Sequence, residues 1–180
     1  MFSKVYTVGI AGVKSCEISI ESDVSDGLPG WCLVGYLSSE VREAQDRVRT
    51  ALRNCGFYLP AKKITINLSP ADIRKEGTAF DLPMAVSVLS AGGLLSCTDL
   101  DQCCFSGELG LNGEIKPVRG ALLIAQKARE SGKRFCFLPI QNRKEGLAAG
   151  GIGIVGVSHL KEAVSYLRGE KALPEKMDLP

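Results

Sequence analysis

The first third of the chain alternates between apolar and polar residues with the two-residue period of β-strands. In the clearest example, Cys16, Ile18 and Ile20 lie on one face and the intervening polar residues lie on the other. A strong turn signal, Gly-Leu-Pro-Gly at 27–30, separates this region from a further short apolar run. The strands predicted in this part of the chain are 5–10, 16–20, 31–34 and 64–68.

The spacing of apolar residues then changes to three and four, which is the spacing of an amphipathic helix. Val41 and Ala44 begin this stripe, and the predicted helix over 39–55 ends at Gly56, which suits a left-handed cap. A second predicted helix, 82–95, is apolar on most faces and therefore belongs in the middle of the domain. The remaining predicted elements are strands at 103–109, 114–118, 135–138 and 152–155 and helices at 120–131, 142–149 and 158–167.

The order of these elements is strands and hairpins first, then alternating helices and strands. This order predicts an α/β or α+β sandwich built on a mixed sheet. The last twelve residues are polar and contain two prolines, a composition typical of linkers. We therefore expect one domain over 1–168, followed at 169–180 by the start of a linker to a further module.

Composition narrows the class of protein without identifying it. The chain has 180 residues, of which 45% are hydrophobic and 23% charged, which is ordinary for a globular domain and excludes a disordered or collagen-like chain. Seven scattered cysteines without a Cys-x-x-Cys pair, and a single histidine (His159), give no signature of a disulfide framework or a zinc site. We therefore expect no metal in this chain and a cytoplasmic location. Because no apolar run reaches the roughly 20 residues that span a bilayer, no membrane partner is expected.

Two glycine-containing segments bear on nucleotide binding. The phosphate-binding loop GxxxxGK[ST] is absent, because the Gly-Lys pair at 132–133 lacks the earlier glycine and the following hydroxyl residue. A GxGxxG spelling occurs at 151–156, but its glycines lie before and within a strand-like run rather than between a strand and a helix. The sequence thus predicts no ATP site. The glycines at 151–156 are predicted to let a strand pack closely against its neighbours.

The net charge of +2 conceals an uneven distribution along the chain. Residues 1–39 carry a net charge of −2, residues 40–75 carry +4, and residues 76–180 are balanced. In the basic segment, arginines recur on one helix face and further cations flank the strand that follows, an arrangement that suits phosphate groups. The residues predicted to form a nucleic-acid-binding surface are Arg42, Arg49, Arg53, Lys62, Lys63, Arg74 and Lys75.

A plainer reading of the same segment is a solvated helix face with local ion pairs. Glu43 and Arg47 stand four residues apart, as such a pair requires. Asp46 interrupts the basic stripe, and no aromatic residue is interleaved with it, as stacking surfaces for nucleic acids usually have. Both readings stay open at the level of charge alone.

Four segments together resemble one protein family. They are GLPG at 27–30, VREAQDRVRTALRNCGF at 41–57, KKITINLSPADIRKEGTAFDLPMA at 62–85 and GELGLNGEIKPVRG at 107–120. In combination they are similar to the amino-terminal domain of the ComM/YifB proteins, the magnesium-chelatase-like AAA+ ATPases of bacteria, to about residue 170. The resemblance implies that ATP and Mg²⁺ are bound by an AAA+ module outside this chain. The chain itself is then expected to need no cofactor.

That domain is in turn similar to the proteolytic domain of Lon and the carboxy-terminal domain of RadA. The resemblance implies a Lon-protease-like fold of the ribosomal-protein-domain-2 type. Lon cleaves peptides with a serine–lysine dyad, in which the lysine takes the proton from the serine hydroxyl. Here the serine position falls on Ala79 and the lysine position on Leu122, while Thr78 is displaced by one residue. The nearest lysines, Lys116 and Lys127, stand on other segments, so a Lon-like scaffold without peptidase chemistry is implied.

Three functions stay open. The resemblance implies a part in ATP-driven branch migration of DNA during natural transformation, with this domain adding contacts that are not sequence-specific, since phosphate contacts position rather than specify. The alternative is a module for assembling the ATPase ring, through contacts with its own AAA+ module and other subunits of an oligomer. A residual hydrolase is the third, and Ala79 and Leu122 count against it. A magnesium-chelatase role rests on the name of the family alone.

Overall fold

The computed structural model describes residues 1–174, and these form a seven-stranded sheet, a two-stranded hairpin and five α-helices. The strands are β1 (Phe2–Ala11), β2 (Lys14–Ser25), β3 (Gly30–Val34), β4 (Lys63–Ser69), β5 (Cys103–Phe105), β6 (Glu108–Leu109), β7 (Ile115–Lys116), β8 (Phe135–Pro139) and β9 (Gly153–Val157). The helices are α1 (Ser39–Asn54), α2 (Asp81–Ala91), α3 (Ala121–Glu130), α4 (Arg143–Leu147) and α5 (Leu160–Leu167).

The large sheet is mixed, in the order β3-β4-β2-β1-β5-β8-β9. β2 pairs antiparallel with β1 and β4, whereas the other neighbours are parallel, so β2 runs against the remaining strands. The register places Val5 opposite Ile20 and Ile20 opposite Leu68, which brings three apolar side chains together on one face. The mixed α/β sandwich predicted from the order of elements is confirmed.

Helices cover the two faces of this sheet unequally. α1, α2 and α5 pack on one face, over a main core that includes Ile20, Ile66 and Phe105. α3 packs on the other face over a smaller core around Cys104 and Cys136. This second layer covers the β1-β5-β8-β9 half, and the polar positions of β2 on the same face are half-buried or exposed. The alternation seen in the sequence of β2 therefore separates core from solvent.

α2 is the central helix of the main core, as its apolar composition predicted. Its residues 81–89 are buried, and Pro83 lies in the first turn, where a missing amide hydrogen costs little. The helix ends at Ala91 rather than at residue 95. The reason is that Gly93 adopts a left-handed conformation (φ 78°) and the amide of Leu94 turns back to the carbonyl of Leu89 at 2.9 Å.

The predicted strand over 103–109 is divided into β5, in the large sheet, and β6, in the hairpin. The chain leaves the sheet at Gly107, whose amide donates to the carbonyl of Ala79 at 3.0 Å. A Cβ atom on Gly107 would lie 3.0 Å from the side chain of Ile115, so the hairpin packs closely at this point. The Asn-Gly turn joins β6 to β7 as predicted, with Gly113 at φ 90°.

The glycines at 151–156 serve packing, as predicted. β9 is an edge strand, and a Cβ atom on Gly156 would lie 2.6 Å from the side chain of Ile140. His159 is an ordinary helix cap: its Nδ1 accepts a hydrogen bond from the amide of Lys161 at 3.1 Å, at the start of α5.

The domain boundary predicted after residue 168 stays a prediction. α5 ends at Leu167, and residues 168–174 form neither helix nor strand, although Leu173 packs against the main core. The rest of the predicted linker, 175–180, lies outside the described residues.

Candidate nucleic-acid interface

The basic helix α1 is well specified by its sequence. Ser38 precedes it as the N-cap, and its Oγ accepts a hydrogen bond from the amide of Val41 at 3.3 Å. The apolar stripe predicted for the helix is buried against the main core. Arg42, Arg49 and Arg53 are exposed on the outer side, with Arg42 about 10 Å from Arg49 along the helix axis.

The end of α1 forms one wall of a surface groove. Gly56 (φ 82°) reverses the chain after the helix, and the amide of Phe57 donates to the carbonyl of Leu52 at 2.9 Å. The loop that follows lies beside the edge strand β3, and the amide of Gly30 approaches the carbonyl of Lys62 at 3.5 Å. The groove holds about 370 Å³. Its lining residues are Pro29, Gly30, Trp31, Arg49, Leu52, Arg53, Phe57, Tyr58, Leu59, Pro60, Ala61, Lys62 and Ile64.

Cations and aromatic rings meet in this groove. The guanidinium of Arg49 lies 5.7 Å from the centre of the Trp31 ring, within the range of cation–π attraction. Tyr58 is 74% exposed. Lys62 lies 3.4 Å from the carboxylate of Asp26, but both partners are solvent-exposed, so this pair adds little stability and leaves the lysine available.

The basic stripe has aromatic neighbours in space although none is interleaved with it in the sequence. Trp31, Phe57 and Tyr58 share the groove with Arg49 and Arg53. The sequence does not indicate this arrangement, because Trp31 lies on β3 and the arginines lie on α1, about 20 residues later in the chain. The available signal was an exposed tyrosine in a proline-containing loop directly after a basic helix.

The predicted basic residues do not form a single surface. Arg49, Arg53 and Lys62 line the groove, while Arg42 is exposed near the start of α1. Lys63 is exposed, but it precedes Ile64 on β4 and therefore faces the opposite side of the sheet from the groove. Arg74 is exposed outside the groove and forms an ion pair with Glu76. The last predicted residue, Lys75, requires a correction.

Lys75 cannot contact a phosphate at the surface, contrary to the prediction. Its side chain is 1% exposed, and its ammonium donates to the carbonyl of Pro70. The backbone explains the burial: the amide of Lys75 donates to the carbonyl of Tyr36 and its carbonyl accepts from the amide of Ser38, both at 2.9 Å. These bonds hold the segment against the start of α1, and burial lowers the pKa of the Lys75 ammonium.

A second depression, of about 820 Å³, lies where the resemblance places the peptidase dyad. The segment from Glu76 to Phe80 forms one side, and the segment from Pro117 to Gly120, with residues of α3, forms the other. The structure thus brings together around a cleft the two segments that the resemblance aligns with the dyad. Ala79, at the position implied for the nucleophile, lines the cleft, whereas Leu122, at the position implied for the lysine, is not among the described lining residues.

The charged residues that line the cleft are mostly acidic. Glu40, Glu76 and Glu108 line it together with Arg119 and Thr78. Lys75, the lysine nearest to Thr78 in the sequence, is absent from the described lining, since its ammonium is bound to the Pro70 carbonyl. The described lining of the cleft therefore lacks the lysine that activates the hydroxyl in a serine–lysine dyad.

An ion pair between Arg47 and the buried Asp81 holds the first turn of α2 in place beside this cleft. Arg47 forms a two-bond fork with the carboxylate of Asp81, at 2.8 and 3.0 Å. Asp81 is fully buried and also accepts from the amide of Leu109 at 3.1 Å. Burial raises the pKa of the Asp81 carboxyl, and the hydrogen bond from Arg47 opposes that rise. The same bond raises the pKa of Arg47.

Metal ligands do not gather in the described part of the chain: residues 1–174 contain no group of three or more His, Cys, Asp or Glu side chains placed to hold an ion. None of the described helices is long and apolar enough to cross a membrane.

Comparison with known proteins places the chain in a family. The family model for subunit ChlI of Mg-chelatase matches residues 20–142, a span that contains the groove and most of the cleft. The chain belongs to the magnesium-chelatase-like ComM/YifB family. It is a ComM/YifB-type amino-terminal domain, which confirms the resemblance read from the four segments.

The relatives define how much of such a protein is present. YifB of Escherichia coli is 41% identical over 171 residues, which are 95% of this chain and 34% of YifB. Competence protein ComM of Haemophilus influenzae is 41% identical over 173 residues, which are 94% of this chain and 33% of ComM. The chain therefore spans about a third of the length of these relatives.

Two more distant relatives fit the observed fold. DNA repair protein RadA of Listeria monocytogenes is 32% identical over 131 residues, covering 73% of this chain and 25% of RadA. Lon protease 2 of Bacillus subtilis is 28% identical over 131 residues, covering 72% of this chain and 23% of the protease. The mixed sheet with its helices is thus a Lon-like fold.

Proposed function

We propose that this chain is the non-catalytic amino-terminal domain of a ComM-like AAA+ ATPase that processes DNA, and that it adds DNA contacts that are not sequence-specific. The observation that carries the proposal is the groove in which Arg49, Arg53 and Lys62 surround aromatic rings. Cations in such a cluster neutralise phosphates and release counterions, which supplies affinity without reading the bases. The names of two relatives, a competence protein and a DNA repair protein, agree with this assignment.

In the longer protein, the AAA+ module would bind ATP and Mg²⁺ and drive branch migration during natural transformation in the cytoplasm. The present domain would work as part of an oligomer, next to its own AAA+ module. Arg42, exposed on the same helix as Arg49, would add a phosphate contact, and Arg74, which is exposed but paired with Glu76, would add one only to DNA that reaches beyond the groove. Lys63 would contribute only to DNA that passes along the opposite face of the sheet.

The test is a fluorescence-anisotropy titration of labelled single-stranded and branched DNA at low salt. The double variant R49E/R53E should bind at least about tenfold more weakly than the unmodified chain. The matched control is R143E/K144E, which also reverses two exposed charges, on α4 next to the opposite edge of the sheet. Equal losses in both variants, or no DNA binding by either the chain or the longer protein, would contradict the proposal.

A second candidate, a module for ring assembly, is favoured by the edge strand β3. Val34 at its end, and Leu28 and Tyr36 beside it, are exposed by 46%, 89% and 53%. Exposed apolar groups along a sheet edge suit pairing with another subunit. Light scattering and the DNA titration together distinguish the two functions. If the domain assembles the ring, its deletion from the longer protein should abolish the oligomer, and the chain alone should not bind DNA.

The chain itself is proposed to have no peptidase activity. Ala79 supplies no nucleophile, Leu122 supplies no base, and the Lys75 ammonium is buried against a carbonyl. An active-site serine probe should leave the chain unlabelled. Clear labelling that a T78A substitution abolishes would overturn this assignment.

A further inference from the structure

We propose that the groove between β3 and the end of α1 is a stacking site for a base of single-stranded DNA. In this arrangement the base lies against Trp31 and Tyr58, and the adjoining phosphates contact Arg49, Arg53 and Lys62. The inference rests on the proposed function and deepens it, because it assigns the domain a preference for single strands. It adds a ligand class and a binding site to the charge-based proposal.

The aromatic side chains of the groove are accessible. Tyr58 is 74% exposed, and Trp31 and Phe57 are partly exposed although they touch the main core. An aromatic ring in water keeps a flat apolar face available, and each base that stacks on such a face gains affinity whatever its identity. This makes the site tolerant of sequence, in agreement with the proposed function.

The charges of the groove suit a polyanion. Arg49, Arg53 and Lys62 stand at its rim, and among the described residues that line it none is acidic. The end of α1 presents the partly negative pole of the helix, so phosphates should stay with the side-chain cations and the base should take the apolar floor. The cations of the groove thus suit the phosphate of a nucleotide, and its apolar rings suit the base.

The walls of the groove are held in place before any ligand arrives. Pro29 and Pro60 restrict the two loops that border it. Leu59 packs beneath the loop against α2, since a Cβ atom on Gly92 would lie 2.8 Å from its side chain. A site that needs little ordering loses less affinity to conformational entropy.

A duplex cannot use this site fully. The faces of its bases are covered by neighbouring bases, and exposing one costs a few kcal/mol of unstacking. Duplex DNA should therefore reach the arginines but not the rings. The rings thus give single strands an advantage that the charges alone do not provide.

Trp31 is the only tryptophan of the chain, so its fluorescence reports on this groove. The experiment titrates the chain with a thymidine oligonucleotide, an abasic oligonucleotide of the same length and the corresponding duplex. We expect the single strand to quench Trp31 emission, and the abasic strand and the duplex to bind with less than a third of that quenching.

Substitution of the exposed ring provides the second arm. Y58A should weaken binding of the single strand about 5- to 150-fold, the range for losing one stacked base, and should change duplex binding less than twofold. Y58F should retain the affinity, because the ring and not the hydroxyl is required. Y36A removes a comparably exposed ring outside the groove and should have no effect.

The outcomes separate this inference from the proposed function. DNA binding that needs Arg49 and Arg53, but neither quenches Trp31 nor depends on Tyr58, overturns the stacking site and leaves the proposed function standing. Failure of all three nucleic acids to bind both the chain and the longer protein overturns both. Equal quenching by an acidic peptide of the same charge would also overturn the inference, since it would show a site for polyanions without stacking.

Discussion

Removal of Arg47 from its fork with Asp81 should be one of the most destabilising single substitutions in this domain, because it leaves a buried charge without its partner. The substitution R47M keeps most of the aliphatic length of the side chain but leaves the Asp81 carboxylate without its charged partner. Asp81 is 0% exposed, so water cannot replace the two bonds of 2.8 and 3.0 Å. The remaining partner is the amide of Leu109, which is insufficient for a buried charge.

The magnitude follows from the geometry. Breaking a buried ion pair by removing one partner costs about 3–5 kcal/mol. Arg47 keeps 21% exposure, which places R47M at about 3 kcal/mol, or a fall in the melting temperature of about 6–12 °C for a chain of this size. R42M, which removes an exposed arginine from the same helix, should change the free energy of unfolding by less than about 0.5 kcal/mol.

Urea unfolding at several pH values checks this reasoning. Burial raises the pKa of the Asp81 carboxyl, so the unpaired group in R47M should pick up a proton at acid pH and lose its charge. The deficit of R47M should therefore shrink as pH falls through the pKa of the folded state. The double variant R47M/D81N should recover more than half of the loss. A loss below about 1 kcal/mol, or no recovery in the double variant, would refute the account of a buried charge.

Three further predictions concern other parts of the chain. K75M should leave DNA affinity unchanged and should not lower the free energy of unfolding near pH 7. Because the buried Lys75 ammonium loses its charge as pH rises through its lowered pKa, any stability gain of K75M in urea unfolding should shrink between that pKa and the ordinary value of 10.5. G113A should lower the free energy of unfolding by about 2–3 kcal/mol, because the new Cβ atom would lie 2.4 Å from the Cys55 sulfur on a backbone with φ 90°. The control G12A has a similar backbone (φ 66°) but no described atom within 4 Å of the new Cβ, and it should cost about 1 kcal/mol. A peptidase assay on the chain should show no turnover, and turnover that survives T78A would point to a nucleophile elsewhere.

Much of the fold could be predicted from the sequence because local patterns and tertiary packing agree. The stripe beginning at Val41 specifies α1, and the alternation around Ile18 specifies β2. The boundaries that were missed depend on backbone conformation. Gly93 ends α2 early, and Gly107 divides one predicted strand into two.

The candidate site was only partly predictable. Helical spacing brought Arg49 and Arg53 to one face, but charge type alone gives no information about burial, so Lys75 was included wrongly. The rings of Trp31 and Tyr58 were missed because their meeting depends on the parallel pairing of β3 with β4, a contact between distant parts of the chain. The absence of the dyad, by contrast, is predicted from the residue identities at 79 and 122, the positions that the resemblance assigns to it.

The central claim, that this domain holds DNA through the cations of the groove, is tested most directly by the salt dependence of binding. The slope of log K against log salt for a single-stranded oligonucleotide should be reduced by about 1.4 in R49A/R53A, since each lost phosphate contact removes about 0.7. R143A/K144A, which also removes two exposed charges, should keep the slope of the unmodified chain. An unchanged slope in R49A/R53A, with affinity equal to that of the unmodified chain, would contradict the claim.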